Sequence, residues 1–451
     1  MRFVIIGGGP AGNQAATHAA MLGVEVTLIE RDIVGGAANL WDCIPSKAMI
    51  ATGGAMATLR RIEGMGVVGA RGEIGLEQLR HRIASIVGHL EQTNEKILLG
   101  QGVQLVHGTA RLVDAHTVVA DTSGGERTFE ADAILLSTGS RPRIPAWAAL
   151  DGDRILSTRD AYPPPVLPDH VVVIGSGVTG VEFVHLFSSL GSEVTLIVSR
   201  QQVLPQKDPE VAAVLEADFT DRGVHLLKGA RATAAVRTAE GVLVSCDDGR
   251  RVAGSHALLA IGSIPNSEGL GLENARVEVG VGGYVPINRH CQTSVPHIFA
   301  AGDLSGKLPL SSVAWMQGRQ VAEYVVVGHT ASHRHPNYDS APSAIFTEPE
   351  IADVGLAEAD AFAEGRKIRV TKVPFAASAR ALIDNDSRGF VKIVTDPSTG
   401  IILGGSIVGR NASELISVLA VAVTGRLKVA DIIESMLVHP TLAEALAEAA
   451  E

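Results

Sequence analysis

Cysteine is scarce. The 451-residue chain has three, Cys43, Cys246 and Cys291. They are too few and too scattered for a disulfide framework, and a reducing compartment, hence a cytoplasmic location, is expected. Aromatic residues make up only 4% while glycine reaches 49, a mix that suits an α/β chain with many tight turns. Positive charge is in deficit, with 38 Lys and Arg against 49 Asp and Glu, a net charge of −11. Nucleic-acid binding, which needs a basic face to displace counterions, is therefore not expected. Long hydrophobic runs are also missing. Phe3–Ile6 is too short for the apolar region of a secretory signal. Leu415–Val423 is broken by Ser417 and falls well short of a membrane span.

What is present suits a large folded chain. Apolar residues are 46% and charged residues 19%, enough to bury a core and too apolar for a disordered chain. The length fits about three domains.

Two similar units stand out. In Arg2–Glu30 an apolar strand meets Gly7-Gly-Gly9-Pro-Ala-Gly12, then a helical pattern, then the strand Val24–Glu30. In His170–Arg200 the strand Val171–Ile174 meets Gly175-Ser-Gly177-Val-Thr-Gly180, a helix, and the strand Glu193–Val198. Both read as strand–turn–helix–strand. The first glycine of each turn (Gly7, Gly175) permits the tight bend. The second (Gly9, Gly177) lets backbone approach a pyrophosphate. The third (Gly12, Gly180) lets helix pack on strand, with phosphates at the helix N-terminus. Glu30 ends its strand where a carboxylate can accept ribose hydroxyls. The second unit ends Val198-Ser199-Arg200 instead. No acid is there to repel a 2′-phosphate, and Ser199 and Arg200 can donate to one. NADPH use is expected, dual use stays open, and the alternative is that Arg200 is a solvated loop residue. Two dinucleotide units in one chain suggest a flavoprotein reduced by a nicotinamide cofactor. The expected fold is α/β, with two Rossmann-like domains and an α+β C-terminal domain.

Elsewhere, Leu76–Leu99 has helical spacing and Val103–Val119 reads as strands and turns. Ala133–Gly139, Ala257–Gly262 and Ile298–Asp303 are strands running into glycine turns, the last followed by helical Val313–Val327. Tyr162–Pro168 is a stiff proline-rich connector and an expected boundary. His329–Pro336, with His329, His333 and His335, reads as a polar linker rather than a metal site, since no ligand set accompanies it. From Ala341 the pattern turns to strands and long helices, including Val391–Val394, Ile401–Val408 and Glu414–Thr424. The last is apolar enough for core or for an oligomer interface.

Further motifs complete the pattern: Cys43-Ile-Pro-Ser-Lys47, Ser137–Pro142, Ala260–Asn266, Ala300–Asp303, Phe346–Ala352 and His439–Glu444. With both glycine turns, they resemble the class I pyridine nucleotide-disulfide oxidoreductases over nearly the whole chain. The resemblance implies FAD on the first unit, NAD(P)H on the second, and a C-terminal dimerisation domain that makes a homodimer. The implied division is 1–150 and 271–335 for FAD, 151–270 for NAD(P), and 336–451 for dimerisation. Implied FAD contacts are Gly7, Gly9, Gly12, Glu30, Gly36, Ala37, Lys47, Thr138, Gly139, Arg141, Gly302 and Asp303, whose carboxylate would hold the ribityl chain. Implied nicotinamide-nucleotide contacts are Gly175, Gly177, Gly180, Ser199, Arg200 and Gly262. Lys47 and Glu182 would pair beside the flavin N5. His439 and Glu444 would form an acid/base dyad donated across the dimer.

In the family two cysteines, at the positions of Ala38 and Cys43, form a redox disulfide. Here the first is alanine. A two-electron dithiol exchange needs two sulfurs. Cys43 either tunes the flavin electrostatically or is a packing residue. The dyad would protonate an acceptor oxygen, stabilise a Cys43 thiolate, or persist as inheritance. Gly35-Gly-Ala-Ala38, Asp42-Cys43, Pro45-Ser-Lys47 with Ile50-Ala-Thr-Gly53, His256-Ala-Leu-Leu259 and Leu308-Pro-Leu310 resemble a dihydrolipoamide dehydrogenase-like branch, the NAD(P)H:quinone reductases without the cysteine pair. That implies hydride passing from NAD(P)H to FAD and two electrons passing on to a quinone-type acceptor, a small molecule. The alternatives are a soluble pyridine nucleotide transhydrogenase and a non-catalytic, redox-sensing flavoprotein.

Overall fold

The computed structural model describes residues 1–69, 71–328 and 335–451, so His329 and His333 lie outside the described residues. The chain divides into two compact units. The first comprises Met1–Ser46, Glu77–Arg143 and Ser263–Tyr338. Its centre is a parallel sheet ordered Ile298–Ala300, Ala133–Leu136, Arg2–Ile6, Glu25–Glu30, Gln104–His107. Strands covered on both faces need continuous apolar runs, and Phe3-Val-Ile-Ile6 is one. Its side chains alternate between two cores. Phe3 and Ile5 pack with Ala11, Ala15 and Ala19 of the helix Pro10–Met21 and with Val321 and Val325 of the helix Ser311–Val327. Val4 and Ile6 pack on the opposite face with Leu112, Val118 and Ala120. These belong to a three-stranded antiparallel sheet, Thr109–Leu112, Thr117–Thr122 and Gly125–Glu130. Phe3 is fully buried, and truncating it to alanine would cost about 3–5 kcal/mol. The two helices approach closely because Gly318 has no Cβ; one there would strike the Ala11 carbonyl.

The second unit comprises Lys47–Leu76, Ile144–Gly262 and Asp339–Glu451. It contains a second parallel sheet, ordered His225–Lys228, Glu193–Val198, His170–Ile174, His256–Leu259, Ile155–Ser157. Its central register repeats the first. Ile174 lies opposite Ile197 as Ile6 lies opposite Ile29, so Val198 takes the place of Glu30. The C-terminal part is a five-stranded antiparallel sheet, ordered Ser343–Ile345, Glu350–Gly355, Ile402–Gly409, Phe390–Thr395, Arg369–Pro374. The helix Ala412–Gly425 lies in its core through Ile416, Leu419 and Ala422. Thus the apolar late helix buries one face in its own domain and leaves Val421 exposed on another.

The α/β architecture and its helices follow the sequence pattern, with the long helix at Leu76–Gly100 and another at Ser311–Val327. Tyr162–Pro168 lies inside the second unit without regular structure. The helix Ile44–Arg61, which carries the chain out of the first unit, and the helix Pro209–Asp221 have no counterpart in the sequence pattern described above. Among the described residues no helix is long and apolar enough to cross a membrane.

Candidate active site

Both glycine turns have the same steric logic. A Cβ on Gly7 would strike the Ser137 carbonyl, and one on Gly12 the Gly7 carbonyl. A Cβ on Gly175 would strike the Ala260 carbonyl, and one on Gly180 the Gly175 carbonyl. Gly7 and Gly175 also have positive φ, 101° and 110°, which glycine adopts without a steric penalty. The middle glycines differ: a Cβ on Gly9 or Gly177 would meet nothing within 4 Å. Glycine there leaves room for something outside the chain. Gly9 and Gly177 begin their helices with no side-chain cap and no acid in the first turn, so the amide ends face that room with their positive dipole. This is the donor set a pyrophosphate needs, and the cradle fits a dinucleotide.

In the first unit, Glu30 is buried at the end of its strand. Its Oε2 accepts the Gly8 amide at 2.6 Å and its Oε1 the Asp32 amide at 2.7 Å. Burial pushes its carboxyl above the usual range against these two bonds. Gly36 brings its loop against the turn, where a Cβ would stand 2.7 Å from the Gly9 Cα. Asp303 accepts the Ser140 hydroxyl at 2.6 Å, and burial raises its carboxyl too. A buried and a half-buried carboxylate beside an open glycine cradle are suited to hydroxyl donors such as a ribose and a ribityl chain. Gly302 donates its amide to Gln317 Oε1 at 2.7 Å. Thr138 donates to the Asn266 carbonyl at 2.8 Å, and Asn266 Nδ2 returns a bond to the Thr138 carbonyl at 2.9 Å. Gly139 accepts the Asn266 amide at 3.0 Å. Arg141 is turned to Asn266 Oδ1 at 3.1 Å and Glu268 at 2.7 Å.

Ala37 leads into a π-type turn, Ala38–Asp42, capped by Cys43. The Cys43 amide donates to the Ala38 carbonyl at 3.0 Å, an i to i+5 bond that sets these two positions side by side. The half-buried Cys43 Sγ lies 3.7 Å from Ser311 Oγ. Cys43, Cys246 and Cys291 form no disulfide with one another.

In the second unit, Lys47 on the helix Ile44–Arg61 donates to Glu182 Oε2 at 2.8 Å. Glu182, on the helix Val178–Leu190, is buried, while the Lys47 side chain keeps about a third of its exposure, 32%. A buried carboxylate needs such a partner, because desolvation of an isolated one is costly. Gly262 follows the strand whose Ala260 carbonyl closes on Gly175, and its own Cβ position is open. Ser199 and Arg200 are both exposed, just past the strand end. His439 Nδ1 is 2.7 Å from Glu444 Oε1, and Glu444 Oε2 accepts the Thr441 amide at 2.7 Å. The Thr441 amide and then His439 hold the Glu444 carboxyl below its usual range. His439 itself is 74% exposed.

Phe346 and Asn266 lie within the sequence motifs, which assign neither a role. Asn266 latches the Thr138–Gly139 turn, and the Phe346 amide donates to Glu182 Oε1 at 3.0 Å. Only their place inside specific motifs could have flagged them.

Residues 1–318 match the pyridine nucleotide-disulphide oxidoreductase family, and residues 341–450 match the family's dimerisation domain. A protein of Mycobacterium tuberculosis named NAD(P)H dehydrogenase (quinone) is 42% identical, over 100% of this chain and 93% of its own. Dihydrolipoyl dehydrogenase 2 of Haloarcula marismortui is 34% identical, over 99% of this chain and 95% of its own. Among solved structures, LpdA from Mycobacterium tuberculosis superposes with a TM-score of 0.95 at 41% identity, covering 100% of this chain and 99% of that one. The chain belongs to the pyridine nucleotide-disulphide oxidoreductases, flavoprotein enzymes that use FAD and NAD(P)H.

Proposed function

We propose that this oxidoreductase takes a hydride from NAD(P)H and delivers two electrons to a quinone-type acceptor, with no active-site disulfide in the path. The observation that carries the reading is Ala38, held beside Cys43 by the π-type backbone bond, where a second sulfur would be required. The name of the Mycobacterium tuberculosis relative, NAD(P)H dehydrogenase (quinone), supports the same acceptor class.

FAD, when bound, supplies the two-electron carrier. In this reading 1–150 with 271–335 hold it, 151–270 take the nicotinamide nucleotide, and 336–451 join two copies into a homodimer. The Gly7–Gly12 turn binds the pyrophosphate, Glu30 the ribose, and Asp303 the ribityl hydroxyls. Gly36, Ala37, Thr138, Gly139, Arg141 and Gly302 shape the surrounding backbone. Lys47, fixed by Glu182, presents a cation where the family resemblance places the flavin N5. Gly175, Gly177, Gly180 and Gly262 shape the second cradle, with Ser199 and Arg200 as donors to a 2′-phosphate. His439, oriented by Glu444, holds the proton an acceptor oxygen needs. Cys43 contributes a local charge or packing and carries no electrons. The cysteine usage suits a reducing cytoplasm.

The test measures NADH and NADPH oxidation by the purified protein with menadione, lipoamide, glutathione disulfide and oxidised nicotinamide. Menadione should support turnover at least tenfold faster than the others. Efficient lipoamide reduction by the unaltered chain would overturn the acceptor and the missing-disulfide argument together. Preferential transfer to oxidised nicotinamide would identify a transhydrogenase instead.

A further inference from the structure

The geometry points to Phe346 as the positioning residue of the Lys47–Glu182 pair, an inference that rests on the proposed place of that pair beside the flavin. The two oxygens of Glu182 have different partners within the chain. Oε2 accepts Lys47 Nζ at 2.8 Å, and Oε1 accepts the Phe346 amide at 3.0 Å. The ring of the same residue lies under the cation, with Lys47 Nζ 5.0 Å from its centroid. One residue therefore fixes both halves of the pair, the carboxylate by its backbone and the ammonium by its π face.

Phe346 is itself held by its neighbours. Thr347 is buried, its hydroxyl donating to the Pro349 carbonyl at 2.7 Å. Glu348 pairs with Arg61 and with Arg388, the latter at 3.3 Å. Arg61 ends the helix whose first turn carries Lys47, so the Phe346–Glu348 segment grips that helix near both ends. Arg388 also binds Asp386 at 2.8 Å and Asp218 at 2.5 Å. Asp386 is buried, which alone would raise its carboxyl, but the bonds and charges of Arg388 and Arg61 together hold it below the usual range. Such a network, with each charge matched, gives Phe346 little freedom to drift.

A packing role and a positioning role differ in what they tolerate. Packing accepts any apolar side chain of similar volume. A cation over a π face accepts only a ring. The experiment compares Phe346→Leu, Phe346→Met and Phe346→Tyr with the unaltered holoprotein and with Lys47→Met. Three quantities are read: the flavin absorbance band, the flavin midpoint potential, and the single-turnover rate of flavin reduction by NADPH. Leu and Met should lower the potential and slow reduction by about threefold to tenfold, the range a partly desolvated cation–π contact supplies, with the apparent affinity for NADPH unchanged. Tyr should restore both. Met keeps the bulk, so it answers the question should Leu fail to fold. A wild-type potential and rate in Phe346→Met, or a Tyr variant as impaired as Leu, overturns the inference. Lys47→Met tests the underlying reading: with no change in its flavin band or potential, the pair is not beside the flavin and that placement falls too. A changed Lys47→Met beside an unchanged Phe346→Met removes the positioning role alone.

Discussion

Ala38 and Cys43 are joined amide to carbonyl at 3.0 Å, so the backbone keeps them adjacent although only one carries sulfur. Replacing Ala38→Cys should allow a bridge to Cys43 where disulfide geometry is met. Thiol titration of the denatured variant should then find two fewer reactive thiols after air oxidation than after reduction. An unchanged count would mean that the turn no longer has the shape of a redox pair. Glu30 gives a second prediction at this scale. Burial raises its folded-state carboxyl pKa, so the folded chain keeps a proton that the unfolded chain, with a value of about 4.3, has already lost. Its contribution to stability is complete below the unfolded value and is lost as pH rises through the folded one. Flavin-free Glu30→Gln should therefore lack this decline in urea midpoint between acid and neutral pH, and should retain FAD less well through loss of the carboxylate. The chemistry of these residues was legible in the sequence. The π-type bond was not, since nothing in Ala-Asn-Leu-Trp-Asp distinguishes an i to i+5 turn from an ordinary one.

Both strand–turn–helix–strand elements could be read from the chain because apolar runs, glycines and helical spacing all agree there. The helix Ile44–Arg61 could not, because Gly53 and Gly54 sit inside it and glycine weakens helices by about 1 kcal/mol each. The structure supplies the reason for one of them. A Cβ on Gly53 would stand 3.2 Å from Ser189 Cβ, so close packing against the helix Val178–Leu190 favours glycine. At the same scale, the shared register puts Val198 where Glu30 stands in the first unit. With that carboxylate missing and Arg200 exposed beyond it, Arg200→Ala should raise KM for NADPH by about tenfold, the worth of one charge-assisted contact of 1.5 kcal/mol. KM for NADH should scarcely change. Equal effects on both nucleotides would show that Arg200 does not read the phosphate.

Across the whole molecule, several side-chain bonds, one of them at the site, span distances in sequence that no local pattern encodes. Phe346 meets Glu182 across 164 residues, and Lys392 meets Asp208 across 184. Lys392 is 2% exposed and carries three carboxylate partners, Asp208, Glu210 and Glu358, which fix the C-terminal sheet to the helix Pro209–Asp221. Sequence alone marks these residues as charged and says nothing of who pairs with whom. The region matching the dimerisation domain also leaves Met436 89% and Val438 74% exposed. In a region that matches a dimerisation domain, such exposed apolar side chains are candidates for the association face. The unaltered protein should sediment as a dimer. A Met436→Asp, Val438→Asp double variant should sediment as a monomer and, on the proposed role of His439 in the partner's site, lose most turnover. A monomeric wild type would refute the homodimer.

The half-buried thiol at Cys43, with alanine at position 38, has a consequence for oxidation. Where two sulfurs sit side by side, a peroxide-made sulfenic acid condenses with its neighbour, and the damage stops at a reducible bridge. Ala38 offers no such stop. A sulfenic acid formed at Cys43 would have no thiol at position 38 to condense with, so its capture before the sulfinic stage would fall to a thiol from solution or to a backbone nitrogen.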